Sequence, residues 1–219
     1  MPHAWQLWLS PRPSRTPTNS KAQIYGAHDA VLFEFIRQEG NREVVRETHH
    51  IDNKIVKDGL SGPPIHIHMF QDEYFQIESG VIAVQRGCET IVASQGDGII
   101  MIPAGTRHRF WAHSSGAEDL VFKVWAQPQG LERGFDEKFI RNLIGYSRDC
   151  QRANMEPSPF QLMLFAEASG TVASPPFWLP IWFLKSVQRV LAYGIGGFLL
   201  GYKDGYPEYS DACAGSDSH

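Results

Sequence analysis

From residue 31 to residue 126 the chain runs in short apolar segments broken by turn residues. The segments 31–36, 43–51, 65–70, 74–77, 81–85, 89–93, 99–102, 107–113 and 120–126 are rich in Val, Ile, Phe and Tyr, residues that favour the pleated strand. Gly40-Asn41 and Glu78-Ser79-Gly80 stand at hairpin positions between them. Roughly ten short strands at close, regular spacing predict an all-β sandwich or barrel. No helical period interrupts the series before residue 131.

The period then changes. Phe135, Phe139, Leu143 and Ile144 recur at helical spacing, with Asp136, Glu137, Lys138 and Arg141 on the opposite side. A second helix is expected over 160–168, after the breakers Pro157 and Pro159, and a third over roughly 177–200. There is no internal repeat, so one barrel is expected. The division that follows is a flexible N-terminal arm over 1–20, a barrel over 21–130, a C-terminal helical extension over 131–203 and a flexible tail over 204–219. Trp5 and Trp8 give the arm an alternative role, docking onto a partner subunit.

Composition narrows the function classes. The chain has 219 residues, 42% of them hydrophobic, enough for one well-cored domain. Its net charge of −4 offers no electrostatic reason to bind nucleic acid. Cys88, Cys150 and Cys213 are too few and too scattered for a disulfide framework. No basic segment precedes the short apolar run at Trp5–Leu9, so it does not read as a signal peptide. A reducing, cytoplasmic setting is expected.

The chemistry concentrates in two segments. His66 and His68 are two residues apart, which in a strand places both imidazoles on one face. Glu73 follows after a tight turn and can return a carboxylate to the same point. Pro103 and Gly105 make a second turn, from which His108 opens a strand that a barrel can bring across the interior. Three imidazoles and a carboxylate suit one divalent metal ion, with Fe, Mn, Ni and Zn all compatible.

These residues resemble the two signatures of the cupin superfamily. The first, His-x-His, four residues, Glu, six residues, Gly, is met by His66, His68, Glu73 and Gly80. The second, Pro-x-Gly-x-x-His, is met by Pro103, Gly105 and His108. The resemblance covers about residues 28–127. It implies a double-stranded β-helix (jelly-roll) barrel, a metal held inside it by these four ligands, and frequent homodimers. Two departures are visible. Phe110, Trp111 and Ala112 stand where cupins often carry Asn, and Gly59 and Gly62 flank the usual place of the first motif's opening glycine. The family hosts dioxygenases and other oxidases. It also hosts lyases, dehydratases, isomerases and cyclases that use the metal as a Lewis acid. The favoured reading is an enzyme acting on a small, largely apolar organic substrate, as in natural-product tailoring. Non-catalytic ligand binding and a structural cupin are the other classes.

Further residues carry weaker expectations. His49 and His50 point to opposite faces of one strand, so at most one faces the barrel; they are the candidate general acid–base groups. His113 is expected to point outward. Phe70, Phe75, Phe110, Trp111 and Phe122 are candidates for an apolar substrate pocket. Arg107, Arg109 and Lys123 are candidate partners for a substrate anion. The aromatic stretch 175–200 is interrupted by Lys185, Gln188 and Arg189, which argues against a transmembrane helix. Packing against the barrel or a second subunit is favoured for it, with peripheral membrane contact second.

Overall fold

The computed structural model describes residues 3–210. Alternation of apolar positions produces two antiparallel sheets. In chain order the elements are α1 (Ala4–Leu9), β1 (Gln23–Tyr25), β2 (Val31–Gln38), β3 (Arg42–His49), α2 (Lys54–Lys57), β4 (His66–His68), β5 (Asp72–Ser79), β6 (Ile82–Arg86), β7 (Glu89–Ala93), β8 (Ile99–Ile102), β9 (His108–Ala112) and β10 (Leu120–Gln127). They are followed by α3 (Glu137–Arg152), α4 (Pro159–Ala168), β11 (Thr171–Ala173) and α5 (Ile181–Arg189), which runs on into a π-helical stretch, Val190–Leu199. One sheet has six strands in the order β1-β2-β3-β10-β5-β8, and the other five in the order β11-β4-β9-β6-β7. The chain has the cupin fold, a jelly-roll β core with C-terminal helices.

Register decides which side chains share the interior. Along β10, Leu120, Phe122, Val124 and Ala126 face inward and meet His49, Glu47, Val45 and Glu73 from the neighbouring strands. Phe75 and Phe122 are fully buried and Phe110 nearly so, with ring centroids 5.1 to 5.8 Å apart. These three rings fill the middle of the barrel, and each contributes about 1.5–3 kcal/mol by leaving water.

The short strand β11 lies outside the sequence-predicted set, as do α1, β1 and α2. β11 adds an edge strand to β4, pairing Thr171 with His68 and Ala173 with His66. At three residues it is too short to leave a periodic signal. Behind it, Ile67, Val172 and Leu184 pack together, so α5 covers the outer side of β4. Gln188 secures that helix by donating to the Thr171 carbonyl at 2.8 Å and accepting from Ala173 N–H at 2.8 Å.

The N-terminal segment expected as a flexible arm is seated on the helical extension. Thr16 donates from N–H and hydroxyl to the buried carboxylate of Asp149, both at 2.7 Å, and Tyr209 donates to the same group at 2.8 Å. Arg12 donates to the Leu200 and Gly201 carbonyls and lies 4.3 Å over the Tyr202 ring. The front of the expected flexible tail is likewise packed, with Tyr206 and Tyr209 buried. Residues 211–219 and Cys213 lie outside the described residues. Cys88 is exposed and Cys150 buried, both as free thiols. Among the described residues no helix is long and apolar enough to cross a membrane.

Candidate metal centre

The five-stranded sheet supplies three imidazoles and the six-stranded sheet one carboxylate. His66 pairs in register with His108, and Glu73 faces them from β5 beside Ile102 and Ala126. Gly105, at φ 78°, makes the turn that returns the chain to β9, and its N–H donates to the His68 carbonyl at 2.8 Å. This bond ties the second motif directly to the first.

His66, His68, Glu73 and His108 are all buried, and one ligand atom from each lies within 4.8 Å of the others. His66 Nε2 is 3.2 Å from His68 Nε2, His68 Nε2 is 3.5 Å from a Glu73 oxygen, and His108 Nε2 is 2.8 Å from the other. Ligand atoms about 2.1 Å from one ion are roughly 3 Å apart at right angles, so these spacings match a shared coordination sphere. Despite its 2.8 Å contact, neither Glu73 Oε2 nor His108 Nε2 makes a hydrogen bond. Both atoms are thus buried and free to ligate an ion.

The outer nitrogens explain why. His66 Nδ1 lies 2.9 Å from the Pro64 carbonyl, His108 Nδ1 2.9 Å from the Thr106 carbonyl, and His68 Nδ1 3.1 Å from Thr171 Oγ1. A carbonyl only accepts, so Nδ1 of His66 and His108 carries the proton and Nε2 presents a bare lone pair inward. Outer partners of this kind are what metal-binding imidazoles require. Thr171 Oγ1 is 2.9 Å from Ser169 Oγ, and Ser169 Oγ donates to the Ala166 carbonyl at 2.9 Å, so the chain of contacts reaches α4.

Electrostatics favour the ligand forms of His66 and Glu73, while Glu73 beside it raises the pKa of His108 despite burial. Burial lowers the His66 pKa to about 3, aided by the neighbouring His68 and His108, so the ring stays neutral. Burial opposes ionisation of Glu73, but the proximity of His68 and His108 outweighs it and holds the carboxyl far below its usual range. The donor set therefore fits a divalent ion. The cluster could hold one, and the choice among metals is not encoded in these four side chains.

The other sequence-predicted residues are dispersed. His49 is fully buried inside the barrel, with Nε2 3.0 Å from Glu47 Oε2 and its ring against Phe110 and Phe122. His50 is half-exposed and pairs with Asp119 at 3.0 Å. His113 is half-buried beside Ser115. Phe75, Phe110 and Phe122 lie in the interior, whereas two of the expected pocket residues are outside it. Phe70 is 48% exposed near Lys185, and Trp111 stacks under Arg109 at 4.6 Å. The side chain before or after an inward-facing strand residue points away, and that alternation expels Trp111. Arg107 donates to Ser174 and the Leu179 carbonyl, Arg109 to Gln85, and Lys123 pairs with Glu78.

Sequence reasoning missed Thr171, which lies 103 residues from the histidine it supports. No spacing rule links such positions. It also missed Glu47, although Glu-x-His on one strand face was a readable signal.

No protein-family model matches the chain. Curated relatives do. The chain is 61% identical over 206 residues to "Probable oxidoreductase virH" of Hypocrea virens, covering 94% of each chain. It is 45% identical over 201 residues to "Oxidoreductase iacF" of Pestalotiopsis fici, covering 90% of this chain and 98% of that one. It is 29% identical over 175 residues to "Epoxidase atD" of Aspergillus terreus, covering 78% of this chain and 51% of that one. Among solved structures, KdgF from Halomonas sp. overlaps 52% of this chain and 95% of its own at 15% identity and a TM-score of 0.38. On its sequence, the chain belongs to the family of fungal oxidoreductases that includes virH and iacF, and it carries that family membership on a cupin barrel.

Proposed function

We propose that the chain is a mononuclear metal-dependent oxidoreductase that uses O₂ to transform a small, largely apolar organic molecule in natural-product tailoring. The observation that carries this reading is the buried three-His, one-Glu cluster in a chain 61% identical to a protein named a probable oxidoreductase. The name of the more distant relative, an epoxidase, supports oxidative over redox-neutral chemistry.

A divalent redox metal held by His66, His68, Glu73 and His108 would supply open coordination positions for activating O₂ or a substrate oxygen. The protein's own part is positional. The Pro64 and Thr106 carbonyls and Thr171 hold the three rings with Nε2 inward. Glu73 contributes one negative charge, which lowers the net charge of the filled site. The rings of Phe75, Phe110 and Phe122 exclude water behind the cluster, which strengthens every electrostatic interaction there. His49, inside the barrel, is the acid–base candidate of the two adjacent histidines; the Asp119 pairing of His50 leaves it a surface role.

The test is elemental analysis of anaerobically purified protein, followed by O₂-consumption assays against a panel of phenolic and enolic compounds. About one iron per chain with substrate-dependent O₂ uptake, lost in His66→Ala and His108→Ala, is the expected result. Zinc or another redox-stable metal, with turnover that consumes no O₂, would replace the oxidative reading with Lewis-acid catalysis.

A further inference from the structure

The helix that α5 forms with the π-helical stretch after it packs on one side only. Its buried side recurs every fourth residue, at Leu184, Gln188, Ala192, Gly196 and Leu200. Leu184 clusters with Ile67 and Val172, and Ala192 and Leu200 cluster with Leu164 of α4. A Cβ at Gly196 would come within 2.9 Å of the Phe160 carbonyl oxygen, so the helix is seated closely there. The stripe two residues out of step, Trp182, Ser186, Val190, Gly194 and Phe198, lies on the opposite side, and all five are exposed. Trp182 is 71% and Phe198 87% exposed. Phe183, Val187 and Leu199 widen the exposed apolar face.

The face is extended at both ends. Phe177 and Trp178 are exposed just before α5. At the other end α1 abuts the helix, where Gln6 donates to the Leu199 carbonyl at 3.1 Å, and leaves Trp5 and Trp8 exposed. From Trp182 to Phe198 alone the stripe runs on the order of 20 Å. Scattered exposed apolar residues need no explanation, whereas a continuous patch of this extent marks a surface that something covers. Lys185 and Arg189, one turn apart, border the stripe. Arg189 is exposed with no partner among the described residues, and Lys185 has only the Phe70 ring, 5.4 Å away.

We infer that this face docks on a bilayer containing anionic lipid, with the helix lying in the plane of the interface. Charge selects that occupant. Segments 1–28 and 168–203 hold six basic residues, Arg12, Arg15, Lys21, Lys185, Arg189 and Lys203, and none of the chain's 24 acidic ones. Arg15 is paired with Glu208, so Lys185 and Arg189 are the bases offered on the stripe itself. A second copy would meet the face through a two-fold contact, which sets the same patch against itself. Bases would then oppose bases, with no carboxylate in either segment to pair them. Lipid phosphates and carboxylates supply the missing charge. The composition agrees: Trp and Tyr settle at headgroup level, and a helix with an apolar face and a basic border lies along the interface instead of crossing it. None of these side chains belongs to the four-ligand cluster, so the assignment stands or falls separately from the oxidative reading.

The experiment sediments the metal-loaded full chain with vesicles of phosphatidylcholine alone or of an equimolar mixture with phosphatidylserine. Binding to the mixed vesicles is expected, weaker at high salt and weaker on phosphatidylcholine alone. Trp182→Ser combined with Phe198→Ser is expected to weaken it about tenfold or more, and Arg189→Gln about fivefold on the mixed vesicles only. Ile99→Ser, at an exposed residue of β8, is the control and should change nothing. All three variants alter exposed side chains, so their melting temperatures should match that of the wild type. No sedimentation with the mixed vesicles, or unchanged binding in the double variant, would overturn the assignment. So would a wild-type dimer in light scattering that the double variant dissociates, since a second copy would then cover the face.

Discussion

Thr171→Val is the sharpest test of how the metal centre is held. Thr171 is 6% exposed, and its hydroxyl lies 3.1 Å from Nδ1 of His68, which is 3% exposed. Valine keeps the shape and the β-branch of threonine and removes only the hydroxyl. Nδ1 of His68, on a ring only 3% exposed, then loses its one side-chain partner. Leaving that N–H unpaired costs about 1–3 kcal/mol. The ring can avoid the cost by moving its proton to Nε2, but Nε2 then faces the cluster as a donor and ceases to be a ligand. Either way the metal-bound state is penalised. Loss of a supporting partner of this kind typically weakens metal affinity 10–100-fold, about 1.4–2.7 kcal/mol. The assay is competition for Fe(II) or Zn(II) against a chromophoric chelator, with thermal unfolding of the metal-free chain measured in parallel. Ser115→Ala is the control. It removes the hydroxyl 2.7 Å from Nδ1 of His113, a half-buried histidine outside the cluster, and is expected to change neither readout. Affinity for Thr171→Val within twofold of the wild type would refute the claim that β11 orients His68.

Other expectations follow from single features. His66→Ala and His108→Ala should each remove stoichiometric metal, read by elemental analysis, while His50→Ala should leave it intact. Glu47 has a folded-state pKa raised by burial, so its stabilising contribution is present at low pH and is lost as pH rises through that value. Urea unfolding should therefore show the wild type losing stability relative to Glu47→Gln as pH increases, and a constant difference from pH 5 to 9 would contradict this. Gly62→Ala would place a Cβ 1.7 Å from the Phe110 carbonyl oxygen, so the loop before β4 must move; a loss of about 2 kcal/mol or more in urea unfolding is expected. Deleting residues 1–20 should lower the melting temperature, because it strips Asp149 of both Thr16 bonds and leaves a buried carboxylate to Tyr209 and Arg152.

Much of the barrel was legible because its determinants are local. Period-two alternation located β7 and β8 at their observed bounds and the remaining long strands within two residues of theirs. The ligand set was legible because each motif puts its residues on one strand face or just beyond one turn. His66 and His68 alternate on β4, and Gly105 times the arrival of His108. Helical spacing likewise predicted α3 and α4. In each case neighbours in sequence are neighbours in space, and the backbone period is enough.

What tertiary structure decided has a different physical origin. Whether Phe110 or Trp111 faces the interior depends on strand register, and that is set by pairing across the sheet, Phe110 with Val84 and Trp111 with Ala83. Thr171 supports His68 only because β11 returns to the edge of β4 after the whole barrel has closed. The N-terminal segment is held by Asp149 and by carbonyls near residue 200, partners that no local pattern can announce. The Glu47–His49 pair depends on the barrel excluding water from both. The sequence by itself determined the strand periods and the identity of the ligands. The fold decided which groups are buried and which edge strand returns to support the site, because those properties come from pairings and contacts between residues well separated in the chain.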